Sequence, residues 1–225
     1  MTVKSNFVSI ILARGNSKAI KLKNLYKVND KPLIYWTLQN SLNSKKIHST
    51  WVSSDNKKIL DYSSKIGANI IKRPKNFARD NSSSESAWKH AIEYIEKKGI
   101  RFNNVVCLQT TSPIRKKNDI DNAINIFIKN GHDSLFSGHL INPFFTYNKL
   151  NGKLNPNFEK RITRQNFEDT FNENGSFYIF KKKGFLKHKK RTFGKIGVYK
   201  MSKLHSFEID DYSDIKIINS LKKYF

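Results

Sequence analysis

Short apolar, β-branched runs alternate with amphipathic stretches through the first 130 residues or so, and this alternation constrains the fold more than any other feature of the sequence. Phe7-Val8-Ser9-Ile10-Ile11-Leu12 reads as a strand buried on both faces, and it ends in a loop with a glycine and several lysines, from Arg14 to Asn24. Pro32 suits a first helical turn and predicts a helix to about Asn43, with Leu33, Trp36, Thr37 and Leu38 on its inner side. A strand over 47–53 follows, then a helix with Asp55 as N-cap that closes at Gly67, then a short strand over 68–71. Ser82-Ser83-Ser84-Glu85 opens another helix, in which Trp88, Ala91, Ile92 and Ile95 recur at i, i+3, i+4 and i+7. Val105-Val106-Cys107-Leu108 is a fourth apolar strand, followed by Pro113 and a helix over 120–128.

Strand, helix, strand, helix, with nearly continuous Val, Ile and Leu in the strands, predicts a mostly parallel sheet covered on both faces: an α/β, Rossmann-like domain. At 225 residues the chain has the length for one such domain, spanning 1–225. Ligands of these sheets sit beyond the carboxyl ends of the strands, which singles out the loops 14–24, 73–84 and 109–115. After about residue 139 the periodicity fails. Residues 140–172, rich in Asn and aromatics, read as an extended arm or small subdomain inserted in the domain. A strand resumes over 177–180, and a helix over 213–224 ends the chain. Neither an internal repeat nor a separable linker is visible.

The net charge of +24, from 42 Lys and Arg against 18 Asp and Glu, raises the question of a nucleic-acid partner. Of the 42, 34 are Lys and only 8 are Arg, whereas base reading and bidentate phosphate clamping favour the planar fork of Arg. The excess is spread along the chain. Its densest run, 181–195, contains no acid and reads as a solvated surface loop in preference to a dedicated polyanion site. No apolar run approaches the ~20 residues of a bilayer span, and the residues before Phe7 leave no room for a signal-peptide core, so a soluble cytoplasmic chain without a membrane partner is expected. The lone Cys107, placed within a strand, reads as inert core in a reducing compartment. Trp36, Trp51 and Trp88 fit buried faces better than base-stacking platforms.

The loop Leu12-Ala13-Arg14-Gly15-Asn16-Ser17-Lys18-Ala19-Ile20-Lys21-Leu22-Lys23-Asn24 has neither the P-loop spacing nor the Rossmann glycine triplet. It does hold a glycine, a hydroxyl, an amide and several cations directly after a strand, the parts of a phosphate cradle. On spacing alone, a basic surface loop in a lysine-rich chain accounts for it equally well.

The segment resembles the opening signature of the CMP-sialic acid synthetases (acylneuraminate cytidylyltransferases): a strand, an Ala-Arg-x-x-Ser-Lys loop and a Lys-Asn pair. Further stretches resemble the family in order: Val52-Ser53-Ser54-Asp55; Arg73-Pro74 with Asp80-Asn81-Ser82-Ser83-Ser84; Leu108-Gln109-Thr110-Thr111-Ser112-Pro113-Ile114-Arg115; Arg164-Gln165; Asn174-Gly175-Ser176-Phe177-Tyr178-Ile179; and Glu208-Ile209-Asp210. Together they cover about residues 7 to 215. Departures are Gly15, Ala19, a threonine (Thr110) in place of a proline, and Glu208 in place of an aspartate. The basic stretch 181–195 aligns poorly, with Phe193 as the one candidate there for an aromatic of the sugar pocket.

The resemblance implies a GT-A-like nucleotidyltransferase fold and a Mg²⁺- (or Mn²⁺-) dependent reaction. In it, the anomeric hydroxyl of a nonulosonic, sialic-type acid attacks the α-phosphate of CTP and pyrophosphate leaves. It implies catalytic roles for Arg14, Lys23 and Asp210, and nucleotide contacts from Ala13, Arg14, Ser17, Lys23, Asn24, Arg73, Ser83 and Ser84. Sugar contacts would come from Gln109, Arg164, Asn174 and Tyr178, with Arg164 opposite the sugar carboxylate. Glu208 and Asp210, two apart on an extended segment, would face one side and hold the metal. The arm, with its Phe144-Phe145-Thr146-Tyr147 run, implies a homodimer. The six histidines have no zinc spacing. Two other readings are a cytidylyltransferase for Kdo or another sugar acid, disfavoured by the spacing of Arg164-Gln165 and Asn174-Gly175, and a basic nucleic-acid-binding protein, which would show a steep salt dependence indifferent to Arg14.

Overall fold

The computed structural model describes residues 7–141, 146–161, 163 and 169–225. Their elements are β1 (Phe7–Leu12), a small hairpin of β2 (Lys27–Val28) and β3 (Lys31–Pro32), α1 (Leu33–Leu42), β4 (Ile47–Ser54), α2 (Lys57–Lys65), β5 (Asn69–Lys72), α3 (Ser84–Lys97), β6 (Asn104–Gln109) and α4 (Asp119–Lys129). After these come β7 (Ser134–Ile141), a hairpin of β8 (Tyr147–Leu150) and β9 (Lys153–Pro156), β10 (Thr170–Lys181), α5 (Lys182–His188), β11 (Ile196–Lys200) and α6 (Tyr212–Ser220). Seven strands form one sheet in the order β5-β4-β1-β6-β10-β7-β11. β10 pairs antiparallel with both β6 and β7, and the other pairings are parallel, so the expected mostly parallel α/β domain is what the chain builds.

Two apolar layers flank the sheet because its strands carry buried side chains on both faces. One layer packs Ile11, Val52 and Val106 against Ile34 and Leu38 of α1, Ile59 of α2 and Ile124 and Phe127 of α4. The other packs Ile10, Val105 and Phe180 against Trp88, Ile92 and Ile95 of α3 and Phe185 of α5. A third, smaller cluster of Ile20, Val28, Leu33, Ile114, Ile209, Ile215 and Ile218 lies apart from these. It ties α6 and the extended segment before it to the first loop, which places 208–210 beside Lys23.

Several sequence-based expectations need correction. The N-cap of α2 is Asn56, whose Oδ1 accepts from the amides of Lys58 (2.9 Å) and Ile59 (3.3 Å). Asp55 is engaged elsewhere, by the amide of Gly15 at 2.8 Å. β7 and β11 were not anticipated: Gly138 and His139 interrupt the apolar pattern of β7, and β11 is a short edge strand in a basic context. The last helix stops at Ser220, and a 3₁₀ turn covers Lys222–Tyr224. The basic stretch 181–195 is not simply a solvated loop: it begins with α5, continues to a buried Phe193, and is pinned by Lys182 to Glu96 and Lys181 to Asp133. Trp51 and Trp88 are buried as expected, whereas Trp36 is half-buried and donates its indole N–H to Val28 O at 3.0 Å.

Within the 140–172 arm, the β8–β9 hairpin stands outside the main sheet with every residue of both strands exposed. Phe144 and Phe145 lie outside the described residues. No helix among the described residues is long and apolar enough to cross a membrane.

Candidate active site

The loop after β1 is held open by polar contacts at both ends. Ala13 N–H donates to Ser53 O at 3.0 Å and extends the β1–β4 pairing past the last strand residue. A Cβ on Gly15 would come within 2.6 Å of Asn56 Cβ, so only a glycine fits where the Gly15 amide meets Asp55. At the far end the Asn24 side chain bridges two loops. Its amide donates to Arg14 O at 2.8 Å, and its carbonyl accepts from Thr110 Oγ1 at 2.6 Å. Asn24 is buried, and both its bonds hold protein.

Three cations of this loop are paired with two carboxylates. Arg14 Nη1 lies 2.9 Å from Asp80 Oδ1, and Lys18 Nζ lies 3.3 Å from the other oxygen of the same carboxylate. Lys23 is nearly buried, with a side chain 14% exposed. Its ammonium donates to Ile209 O at 2.7 Å and pairs with Asp210 at 3.4 Å. Arg14 and Lys23 line one cleft, with Asp210 beside Lys23.

The second loop contributes Arg73, buried at the end of β5, where it donates to Ser53 O and, at 3.4 Å, to Phe77 O. Burial pulls the guanidinium down to about 10, against the opposing pull of Asp55. Its Nε is buried without a protein acceptor. The loop ends in the N-cap of α3, where Ser83 Oγ accepts from Ser86 N–H at 3.1 Å and Ser84 begins the helix.

The third loop depends on a side chain to which sequence reasoning gave no role. Arg115 is buried and donates to Ser176 Oγ (2.7 Å), Ser176 O (2.7 Å), Thr37 Oγ1 (3.0 Å) and Gln109 O (2.6 Å). It thereby fixes the Gln109 backbone against β10 and α1. Burial lowers its pKa to about 9, with Asp119 opposing the shift.

The elements bearing 174–178 and 208–210 close the site. Gly175, in the left-handed region at φ +62°, sits under two side-chain oxygens: a Cβ there would overlap Glu208 Oε1 and lie 3.1 Å from Gln109 Oε1. Burial, and next the charge of Asp210, hold the Glu208 carboxyl above its ordinary range, with the Ser112 hydroxyl and Lys23 pulling the other way. Asn174 is buried and its amide is committed to protein, accepting from Ser137 Oγ (2.7 Å) and donating to Ser206 Oγ (2.9 Å). Tyr178 is buried on β10, and its hydroxyl donates to Glu173 Oε2 at 3.0 Å.

A cleft of about 340 Å³ runs between these loops, within the size range of small-molecule sites. Of the sequence-predicted residues, Arg14, Ser17, Lys23, Asn24, Arg73, Ser83, Ser84 and Gln109 line it. Ala13, Asn174 and Tyr178 are buried away from its surface lining, Glu208 and Asp210 adjoin it through Gln109 and Lys23, and Arg164 and Gln165 lie outside the described residues. The cleft also shows wall residues that sequence reasoning did not assign: Asp80, Phe77 and Trp88. Asp80 stood inside a recognised motif, whereas Trp88 read simply as one position of a buried helical stripe.

The donor set suits Mg²⁺ or Mn²⁺. Two neighbouring carboxylates, Glu208 and Asp210, the second raising the proton affinity of the first, are what a hard divalent ion between protein and phosphate oxygens requires. Among the described residues no group of three or more His, Cys, Asp or Glu is placed to hold a metal ion.

The profile of the cytidylyltransferase family matches residues 8–224. The chain is 30% identical to the post-translational flagellin modification protein B of Campylobacter coli, over 97% of this chain and 96% of that one. It is 33% identical to the pseudaminic acid cytidylyltransferase of Campylobacter jejuni, over 78% and 68%. It is also 33% identical to N-acylneuraminate cytidylyltransferase A of Danio rerio, over 92% of this chain but 49% of the relative, about half the relative's length. Among solved structures, a CMP-2-keto-3-deoxy-manno-octonic acid synthetase complexed with CTP superposes with a TM-score of 0.73 at 14% identity, covering 97% and 99% of the two chains. A 4-diphosphocytidyl-2C-methyl-D-erythritol synthase superposes with 0.71 at 8%, covering 97% and 99%. At these identities the superpositions bear on the fold alone. With the family profile spanning nearly its whole length and a strand order that brings the signature loops to one cleft, the chain belongs to the cytidylyltransferase family of enzymes.

Proposed function

We propose that this protein transfers CMP from CTP to the anomeric hydroxyl of a nonulosonic, sialic-type acid and releases pyrophosphate. The observation that carries the reading is that Arg14, Lys23 and Gln109 line one cleft, with Asp210 paired to Lys23 and Glu208 close to Gln109 beside it. Such a site opposes cations to a triphosphate on one side and leaves a carboxylate pair beside the acceptor on the other. The named activities of the N-acylneuraminate and pseudaminic acid relatives favour nine-carbon acids over Kdo.

In this reading the triphosphate enters over the Gly15 loop, exchanging the Asp80 carboxylate for phosphate oxygens on Arg14 and Lys18. Arg73 and the serines at the start of α3 take the cytidine, and the α3 N-terminus adds partial positive charge. Lys23, fixed by Ile209 O, neutralises the phosphate nearest Asp210. Gln109, held rigid from behind by Arg115, orients the acceptor hydroxyl for in-line attack. Glu208 and Asp210 would hold Mg²⁺, which supplies charge neutralisation at the α-phosphate and acidifies the attacking hydroxyl. The exposed apolar side chains of the hairpin, Tyr147 (49% exposed), Leu150 (63%) and Leu154 (68%), support a homodimer built through the arm.

The test is pyrophosphate release from CTP and Mg²⁺ across sialic, legionaminic, pseudaminic and Kdo acceptors, repeated with ATP, GTP and UTP. Turnover with CTP and at least one nine-carbon acid, lost in Arg14→Ala, is the expected result. Turnover with Kdo alone, or with none of the four acids, overturns the reading.

A further inference from the structure

The basic stretch after α5 turns one of its cations inward. Arg191 lies between two anchors. On one side Lys189, the left-handed residue ending α5, returns its N–H to Phe185 O at 2.8 Å. On the other, Phe193 N–H donates to Ser134 Oγ at 2.8 Å, and Phe193 O accepts from the same hydroxyl at 2.7 Å. A Cβ on Gly184 would run into the Phe193 ring, so α5 and the chain that follows it close on each other without slack.

With both flanks fixed, the guanidinium is delivered to one spot. Its Nε donates to Glu85 Oε1 at 2.7 Å, and its Cζ lies 4.9 Å from the Tyr178 ring centre and 5.2 Å from that of Trp88. These are cation–π distances. Burial by itself would lower the Arg191 pKa, but Glu85 and Tyr178 outweigh it and leave the group above its ordinary value, so the charge is permanent. Trp88 is a wall residue of the cleft, and its buried indole N–H has no protein acceptor. Glu85 sits in the first turn of α3, directly after the two serines that line the cleft.

The location matters as much as the contacts. Tyr178 pairs with Cys107 across β10 and β6, while Arg73 follows β5 at the opposite edge of the cleft, three strands from β6. The Trp88–Arg191–Tyr178 layer therefore lies against β6 and β10, on the side of the cleft opposite Arg73.

We propose that Arg191 is a positioning residue for the acceptor: by holding the Trp88 and Tyr178 rings, it sets the shape of the wall against which the sugar acid is selected. The inference rests on the proposed transfer to a sugar acid and adds a specificity element to it.

The test compares Arg191→Met, Arg191→Lys and Glu85→Gln with the wild type, measuring KM for CTP, KM for each acid of a nonulosonate panel, kcat and the thermal midpoint. Arg191→Met is expected to raise acceptor KM at least tenfold and to reorder the preference among acids, with CTP KM and kcat within twofold. Arg191→Lys, which keeps a cation between the rings, recovers most of that loss. If the methionine variant does not fold, Glu85→Gln carries the same readout, with an acceptor KM raised about threefold. A wild type that is active while acceptor KM stays put in the variants, or shifts together with CTP KM, refutes the positioning role alone. A wild type inert toward every acid refutes the proposed function itself.

Discussion

Replacing Gly175 by alanine separates what the backbone needs from what the site needs. Its φ of +62° is one that an L residue adopts at a cost of about 1–2 kcal/mol. Gly131 has nearly the same φ, +63°, but a Cβ there meets nothing within 4 Å. Gly131→Ala and Gly175→Ala should thus share the backbone cost, which for a chain of this length lowers the thermal midpoint by roughly 2–8 °C. Only at position 175 does the new methyl overlap Glu208 Oε1 and crowd Gln109 Oε1. The carboxylate then has to move by about 1 Å, and a displacement of that size in a reacting array costs about 100-fold in rate. Pyrophosphate release at saturating CTP, read beside differential scanning calorimetry, resolves the two effects. The expected pattern is two variants of comparable stability, with activity near wild type for Gly131→Ala and down about 100-fold for Gly175→Ala. A Gly175→Ala enzyme within threefold of wild type would show that Glu208 is not where the chemistry needs it.

Other perturbations give equally defined outcomes. Arg14→Ala should abolish CTP turnover while moving the thermal midpoint by less than about 2 °C, because its pair with Asp80 is largely solvent-exposed and such pairs contribute about 0–1 kcal/mol. Arg115→Met should cost about 1–3 kcal/mol of unfolding free energy in urea titration, since it leaves buried neutral acceptors without their donor; a loss under about 1 kcal/mol would contradict the role assigned to it. Asp133 has a carboxyl pKa held below the ordinary range, first by its hydrogen bond from Lys181 and then by the Lys195 amide. A depressed acid contributes stability that is complete above its unfolded pKa and fades as pH falls through the folded one. Asp133→Asn should therefore lower the midpoint at pH 7, and the difference should shrink below about pH 4; a difference that grows on acidification would have the wrong sign.

What the sequence disclosed and what it withheld divide along a physical line. β1 and β6 are legible because both faces of a central strand are buried and every position is drawn to apolar residues. β7 and β11 lie at or near the sheet edge, where Gly138, His139 and Lys200 are tolerated, and no apolar run announces them. The α2 cap shows how a local rule is decided at a distance. Asp55 and Asn56 are both competent caps, and Asn56 takes the position because the Gly15 amide, 40 residues away, claims Asp55.

The candidate site divides in the same way. Motif residues within single loops, such as Arg14, Lys23, Asn24 and Gln109, line the cleft. The partners that fix them come from remote segments: Asp80 for Arg14, Ile209 for Lys23, Thr110 for Asn24, Ser176 for the arginine behind Gln109. Arg191 is the extreme case, one cation in a lysine-rich run, distinguished by a glutamate 106 residues earlier. Its guanidinium suits a partly buried place between two rings better than the strongly hydrated ammonium of its lysine neighbours does.

The proposed transfer requires one cleft to gather the first-loop cations and the Glu208–Asp210 carboxylates around the triphosphate of CTP. Anomalous diffraction from crystals grown with CTP and Mn²⁺ tests it most directly. The expected result is a manganese peak within coordination distance of Glu208 or Asp210 and of a phosphate oxygen, with Arg14 turned from Asp80 onto the triphosphate. Nucleotide bound elsewhere on the surface, or an ion remote from both carboxylates, would contradict it.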